Sequence, residues 1–214
     1  MRIDVALDRL RELPDPLPQG AAELTPVLTD GRSRPTFARA AETDRPAGVL
    51  VLVVPGEDGA ARVVLTERPT YDGLHSGEVS LPGGKVEPDD RDIVATALRE
   101  AEEEIGLSAA AEIEVVGRLD EVWIPVSRFA LIPVVAVAER MPALVASPIE
   151  VARIVLPEVD RFLPGAPIRI VERTIRDWPL RYGAYPVPTG DGDELLVWGA
   201  TARILAQLGA ILAG

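Results

Sequence analysis

The sequence predicts an α/β fold in which a mixed β-sheet lies between helices, and two observations predict it. Two continuous apolar runs, Ala47 to Val54 and Ala61 to Thr66, flank a turn cluster, Pro55-Gly56-Glu57-Asp58-Gly59, as a hairpin of buried strands does. A strongly amphipathic segment with helical spacing, Asp92 to Ile105, then interrupts the run of strands, which resumes at Glu112. With 214 residues and a 47% hydrophobic share, the chain can bury a large core. At 4% aromatics, that core must be built from Val, Leu, Ile and Ala.

Taken in order, Ile3 to Leu13 reads as a short amphipathic helix. Residues 14–46 read as an extended lead-in rich in Pro, Gly, Thr and Asp. The domain proper is expected from 47 to 214. Arg68 to Gly77 is a polar loop that enters a glycine turn, Leu81-Pro82-Gly83-Gly84-Lys85. Asp90 or Asp92 caps the start of the following helix, and Gly106 stands where a C-terminal glycine cap belongs. Val94, Leu98, Ala101 and Ile105 give that helix an apolar stripe, expected to lie away from its acidic face. Strands are expected at Glu112 to Trp123, Phe129 to Ala138 and Val151 to Leu156, with weaker ones at Ile168 to Glu172 and Leu195 to Trp198. Glu158 to Leu163 reads as a helical turn, and Ala200 to Leu212 as a closing core helix. There is no internal repeat and no linker that splits the chain.

Charge and composition exclude several functions. A net charge of −12 argues against a nucleic-acid polymer as partner, because such binding rests on a positive field. The chain has no cysteine and one histidine, His75, which disfavours thiolate chemistry and a histidine-rich zinc site. The first residues carry Asp4 and Asp8 and lack the pattern of a signal peptide. Leu195 to Gly214, the longest mostly apolar run, is broken by Arg203 and Gln207. A soluble, cytoplasmic protein is the expectation.

The chemistry concentrates in Arg99-Glu100-Ala101-Glu102-Glu103-Glu104. Glu100, Glu103 and Glu104 stand at i, i+3 and i+4 and so share one face, where like charges repel. A hard divalent cation with oxygen ligands relieves that repulsion. A glycine turn just upstream suggests a phosphate. A solvated charged face is the plain alternative, but the acids have no i+4 lysine partners.

Gly84, Arg99-Glu100, Glu103-Glu104 and Gly106 resemble the Nudix box, with Asp90 at the box's earlier acidic position and a spacing to Arg99 slightly longer than the general pattern. Leu65-Thr66-Glu67-Arg68 and His75 to Gly84 look like the upstream signature of the coenzyme A diphosphatase subgroup. Ser127-Arg128-Phe129, Glu150-Val151-Ala152 and Trp198 to Leu205 are similar to that subgroup as well. Where the signature usually carries Leu-Arg, this chain has Asp72-Gly73.

The resemblance implies a Nudix-type α/β/α sandwich and metal-dependent hydrolysis of a nucleoside diphosphate derivative, coenzyme A first, ADP-ribose or a dinucleotide as the alternative. A non-catalytic nucleotide-binding module on the same fold is the third reading. Mg²⁺ or Mn²⁺ is the implied cofactor, with Glu100, Glu103, Glu104 and the Gly84 carbonyl as ligands. Glu103, Glu104, Arg99 and Glu150 are the implied catalytic group: Arg99 orients a helix carboxylate, and Glu150 serves as a later-loop acid, ligand or base. Arg68, His75 and Lys85 are candidate substrate contacts, Arg68 because its guanidinium fork suits phosphate oxygens. Trp123 and Tyr71 are read as packing residues rather than base-stacking ones. Members of the family are often dimers, so a homodimer is a further expectation.

Overall fold

The computed structural model describes residues 1–30, 44–69, 77–125, 127–175, 178–189 and 192–214. Tyr71, Asp72, Gly73 and His75 lie outside these residues. The central strand is β2 (Arg45–Pro55), preceded by α1 (Ile3–Arg11) and a two-residue strand, β1 (Val27–Leu28). β2 pairs in parallel with β9 (Phe129–Ala138) along one edge. Its other edge is shared by two short antiparallel strands, β3 (Ala61–Val63) and β6 (Gly83–Lys85). Beyond β9 lie β7 (Ile113–Arg118) and β8 (Val122–Ile124), both antiparallel to it.

Strict alternation along β2 sorts its side chains between two cores. Leu50, Leu52 and Val54, with Val134 and Ala136 of β9, pack against Ile93, Ala97, Ala101 and Ile105 of α2 (Ile93–Ile105). Val49, Val51 and Val53, with Val135 and Val137, face α1 and α3 (Gly199–Ala213). The result is helix, mixed sheet, helix, as expected. The N-terminal helix belongs to the same core as the rest, through Ala6, Leu7 and Leu10.

Two further small sheets flank this sandwich. Past Val63 the chain continues into β4 (Leu65–Glu67), which leaves the main sheet to pair with β5 (Val79–Ser80) and β10 (Arg153–Val155). The single strand expected over 61–66 is therefore two strands in two sheets. The third sheet centres on β12 (Trp178–Pro188), which pairs with β1, β11 (Arg169–Ile175) and β13 (Glu194–Trp198). Sequence patterning did not anticipate β12, because three prolines obscure its alternation and its edges are shared among short partners.

The strand expected over 112–123 is likewise two strands. Between them Leu119 and Asp120 turn their backbone N–H groups to Pro133 O and to the Gln207 side chain. The stripe of α2 is also rotated from expectation. It runs through Ile93, Ala97, Ala101 and Ile105, with Val94 and Leu98 at its margin, and Glu104 falls inside the packed face at 7% exposure. Trp198, at the end of β13, is half-buried and stacks on Tyr182. No helix among the described residues is long and apolar enough to cross a membrane.

Candidate active site

α2 starts at Asp92, whose side chain accepts from Ala95 N at 2.8 Å, and ends at Gly106, which holds the left-handed φ of 64° that a C-terminal cap requires. Asp92 thus caps the helix, and Asp90 is freed for another task. Arg99 grips Asp90 with two parallel bonds, Nε to Oδ1 at 3.0 Å and an Nη to Oδ2 at 3.1 Å. Asp90 also accepts from Glu87 N and from the buried Thr96 hydroxyl, both at 2.9 Å. With the Arg99 guanidinium as the largest cause, these contacts hold the Asp90 carboxyl well below the usual carboxylate range.

The remaining donors of Arg99 reach Glu100 at 3.0 Å, Glu103 at 3.2 Å and the Lys85 carbonyl at 3.1 Å. One planar fork anchored on Asp90 therefore sets the position of two helix carboxylates and the end of β6. Arg99 thus holds the position from which a helix carboxylate can be oriented. Asp90, read from sequence as a possible cap or as the box's earlier acid, is the anchor of that fork. The signal was available: an acid at the box position just before the helix.

The glycine turn forms the opposite wall. Gly83 and Gly84 pair with Val49 and Gly48 of β2. A Cβ on Gly84 would stand 2.4 Å from the Glu100 carboxylate, so only glycine lets the strand lie against that acid. A Cβ on Gly83, whose φ is +154°, would meet Gly48 O at 2.4 Å. Gly48 itself lies under α2, where a Cβ would come within 2.8 Å of Ile93 O. Three glycines thus seat the acidic helix directly on the turn.

Glu104 is the most buried of the acids and accepts from Gly83 N at 3.3 Å. Burial pushes its carboxyl up to about 7, against the pull of Arg68 and the Gly83 N–H; Glu100 and Glu150 reinforce the rise. Burial also raises Glu100, while Arg99 opposes the shift. Arg68 is near enough for its charge to act on Glu104. Glu150 acts on both acids through its charge, and its loop is pinned nearby: Ser147 N binds Glu104 O, and Ala152 N binds Glu67 O, each at 2.8 Å. Arg153 then pairs with Glu67 at the base of this loop. Arg99, Glu100, Glu103, Glu104 and Gly84 thus meet where α2 lies on the glycine turn, with Arg68 and Glu150 near enough for their charges to act on Glu104. Lys85 contributes its carbonyl, while its side chain is exposed. Trp123 donates to Asp44 at 3.1 Å, in keeping with a packing role.

The donor set suits a hard cation. It consists of carboxylate oxygens and a backbone carbonyl, and none of its members offers a sulfur or an imidazole. Those residues do not present three carboxylates converged on one point. Glu100 and Glu103 are turned to Arg99, and Glu104 to Gly83. An ion that keeps several waters and takes few carboxylates directly matches this open arrangement better than a closed cage would.

A family model described as NUDIX domain matches residues 44–143, the stretch that holds β2, the glycine turn and α2. The chain carries a Nudix domain. Nudix hydrolase 15, mitochondrial, of Arabidopsis thaliana is 37% identical over 167 residues, covering 77% of this chain and 58% of that protein. Nudix hydrolase 22, chloroplastic, of the same plant is 38% identical over 168 residues, covering 78% of this chain and 55% of that one. The chain thus spans just over half the length of these curated relatives. Among solved structures, the Nudix hydrolase RenU from M. smegmatis shares 25% identity over 55% of this chain and 72% of its own, with a TM-score of 0.45. The Nudix domain accounts for the main sheet and α2. α1, α3 and the sheet around β12 lie outside the matched residues.

Proposed function

We propose that this chain is a metal-dependent hydrolase that cleaves the diphosphate of coenzyme A or its derivatives to adenosine 3′,5′-bisphosphate and a 4′-phosphopantetheine product. The observation that carries the hydrolase reading is the Arg99 fork, which holds Glu100 and Glu103 against the Gly84 wall beside a protonatable Glu104. Glu100, Glu103, Glu104 and the Gly84 carbonyl would hold Mg²⁺ or Mn²⁺, which when bound screens phosphate charge and lowers the pKa of a bound water. Arg99 fixes the carboxylates so that little reorganisation accompanies reaction. Arg68 offers a charged fork to a phosphate oxygen. Water adds to one phosphorus, the bridging oxygen leaves with the other half, and a carboxylate takes the water's proton. Glu104 and Glu150 are the carboxylates assigned as acceptors for that proton, a reading supported by the raised pKa of Glu104 and the nearby charge of Glu150.

Coenzyme A as substrate rests on the resemblance of the segments around Thr66-Glu67-Arg68, Glu150-Val151-Ala152 and Trp198 to Leu205. The Asp72-Gly73 departure favours a second reading, hydrolysis of ADP-ribose or a dinucleotide. The test is turnover of coenzyme A, ADP-ribose and diadenosine substrates with Mg²⁺ or Mn²⁺, with the products identified. Preference for ADP-ribose would sink the coenzyme A reading. Glu103→Gln separates an enzyme from a binding module: turnover should fall by at least about tenfold, with the circular dichroism spectrum unchanged. Full, metal-independent turnover in that variant would refute the metal assignment.

A further inference from the structure

Glu150 stands on a loop that apolar packing hardly holds. It is exposed, and its neighbour Ile149 is 85% exposed. Of residues 147–152, only Val151 is buried. A segment with so little burial opens locally unless polar ties restrain it.

Such ties hold both ends. The turn closes on the Ser147 carbonyl, which accepts from Glu150 N at 3.3 Å and from Val151 N at 2.9 Å. At its start, Ser147 N donates to Glu104 O of α2 at 2.8 Å. At its end, Glu67 of β4 is used twice. Ala152 N donates to the Glu67 carbonyl at 2.8 Å, and the Arg153 guanidinium pairs with the Glu67 carboxylate. Arg153 and Glu67 are also register partners in the antiparallel β4–β10 pair, so backbone and side chain act at one rung. The Glu67 side chain is 17% exposed and that of Arg153 34%, so solvent screens this pair less than an open surface pair.

β4 serves the site in a second way. Arg68 follows Glu67 directly, and its own N–H donates to Glu78 O at 3.0 Å. One strand end therefore sets the register of the phosphate-contact arginine and of the Glu150 turn together. The other end of the turn is fastened to the helix that carries Glu100, Glu103 and Glu104. A charged Glu150 is repelled by those carboxylates, and its charge acts on Glu100 and Glu104. Its nearness to them therefore depends on the ties.

We infer that Glu67 and Arg153 are a positioning pair, which fastens the 147–152 turn to β4 and so sets Glu150 against Arg68 and the carboxylates of α2. The inference rests on the proposed hydrolase function and gives a role to two side chains outside the proposed metal ligands and substrate contacts.

Hydrogen exchange of the metal-free protein tests the fastening without turnover. In Arg153→Met, amide exchange within residues 147–152 should rise about tenfold, as loss of one charged hydrogen bond implies, while β2 and α2 keep their protection. Glu67→Gln should act in the same direction. Turnover of the substrate that the wild type cleaves best tests the consequence. Arg153→Met should lower kcat by about tenfold and leave KM within about twofold. Arg153→Lys, which keeps the charge, should recover part of that loss. In a Glu150→Gln background, Arg153→Met should cost less than about twofold, because the group that the pair positions is already gone. Unchanged exchange at 147–152, a rise spread evenly over β2 and α2, or the same kcat loss with and without the Glu150 carboxylate would each overturn the inference. A raised KM with kcat intact would overturn it too, by moving the effect to Arg68. Absence of turnover in the wild type would sink the hydrolase reading instead, and exchange would still decide whether the pair holds the turn.

Discussion

Glu104 shows how one carboxyl can tie stability to pH. In the folded chain without metal its pKa is about 7, against an ordinary value of 4.5. Between those values the unfolded chain has released the proton and the folded chain has not, so stability falls as pH rises across that window. Glu104→Gln keeps an acceptor for the Gly83 N–H and removes the titration. In chelator, the variant should gain on the wild type between pH 5 and pH 8, by up to about 3 kcal/mol in urea unfolding. Parallel stability curves would show that Glu104 does not titrate there. Asp90 acts through Arg99 rather than on a substrate. Asp90→Asn leaves the fork half-anchored and should lower kcat by roughly 10- to 100-fold at saturating Mg²⁺. The circular dichroism spectrum should not change, and Asp90→Glu should recover part of the loss. An unaltered kcat would make the Asp90–Arg99 pair purely structural.

At the scale of elements, the turn and the helix form one device, because β6 can approach α2 only where side chains are missing. Gly84→Ala places a methyl 2.4 Å from the Glu100 carboxyl carbon, which must swing out of the cleft or push the strand away. Activity should collapse while the melting temperature moves by a few degrees, since the clash is with the end of a flexible side chain. Loss of folding instead would mean that the strand cannot yield. The same elements show what sequence could display. The box residues and the cap at Gly106 were legible because they are local: spacing along a helix places Glu100, Glu103 and Glu104 on one face wherever the helix sits. The burial of Glu104 was not, since the helix's rotation against β2 depends on Gly48 and on two sheet faces that sequence spacing does not rank. Glu150 was visible as a later-loop acid. How near its loop comes to Glu104 depends on Ser147 and Ala152, which bind groups on distant elements.

Across the whole molecule, α3 joins the N-terminal segment, the third sheet and the Nudix domain. Gly209 sits on the 3-10 turn Val159–Phe162, and a Cβ there would lie 1.9 Å from Phe162 O. This contact is with backbone, so it cannot be relieved by a rotamer change. Gly209→Ala should cost at least about 1–3 kcal/mol in urea unfolding, with Arg9 of α1, which donates to Leu212 O of α3, and Gln207, which accepts from Asp120 N, unable to compensate. A neutral result would show that α3 slides freely on the turn. The three prolines of β12 kept its pairing out of reach of patterning. Its stability comes from the flanking strands at residues 169–175 and 194–198 and from residues 27–28, near the other end of the chain.

By itself, the sequence determined the α/β class, the hairpin entry, the glycine turn, the capped helix and the acidic face it carries. Each of these follows from periodicity, caps and turn residues acting over a few positions. Tertiary structure alone decided that Asp92 caps while Asp90 anchors Arg99, and that Glu104 is buried and Glu103 is not. Those outcomes turn on which groups lose water when helices settle onto a sheet, and desolvation is a property of the packed molecule, not of local spacing.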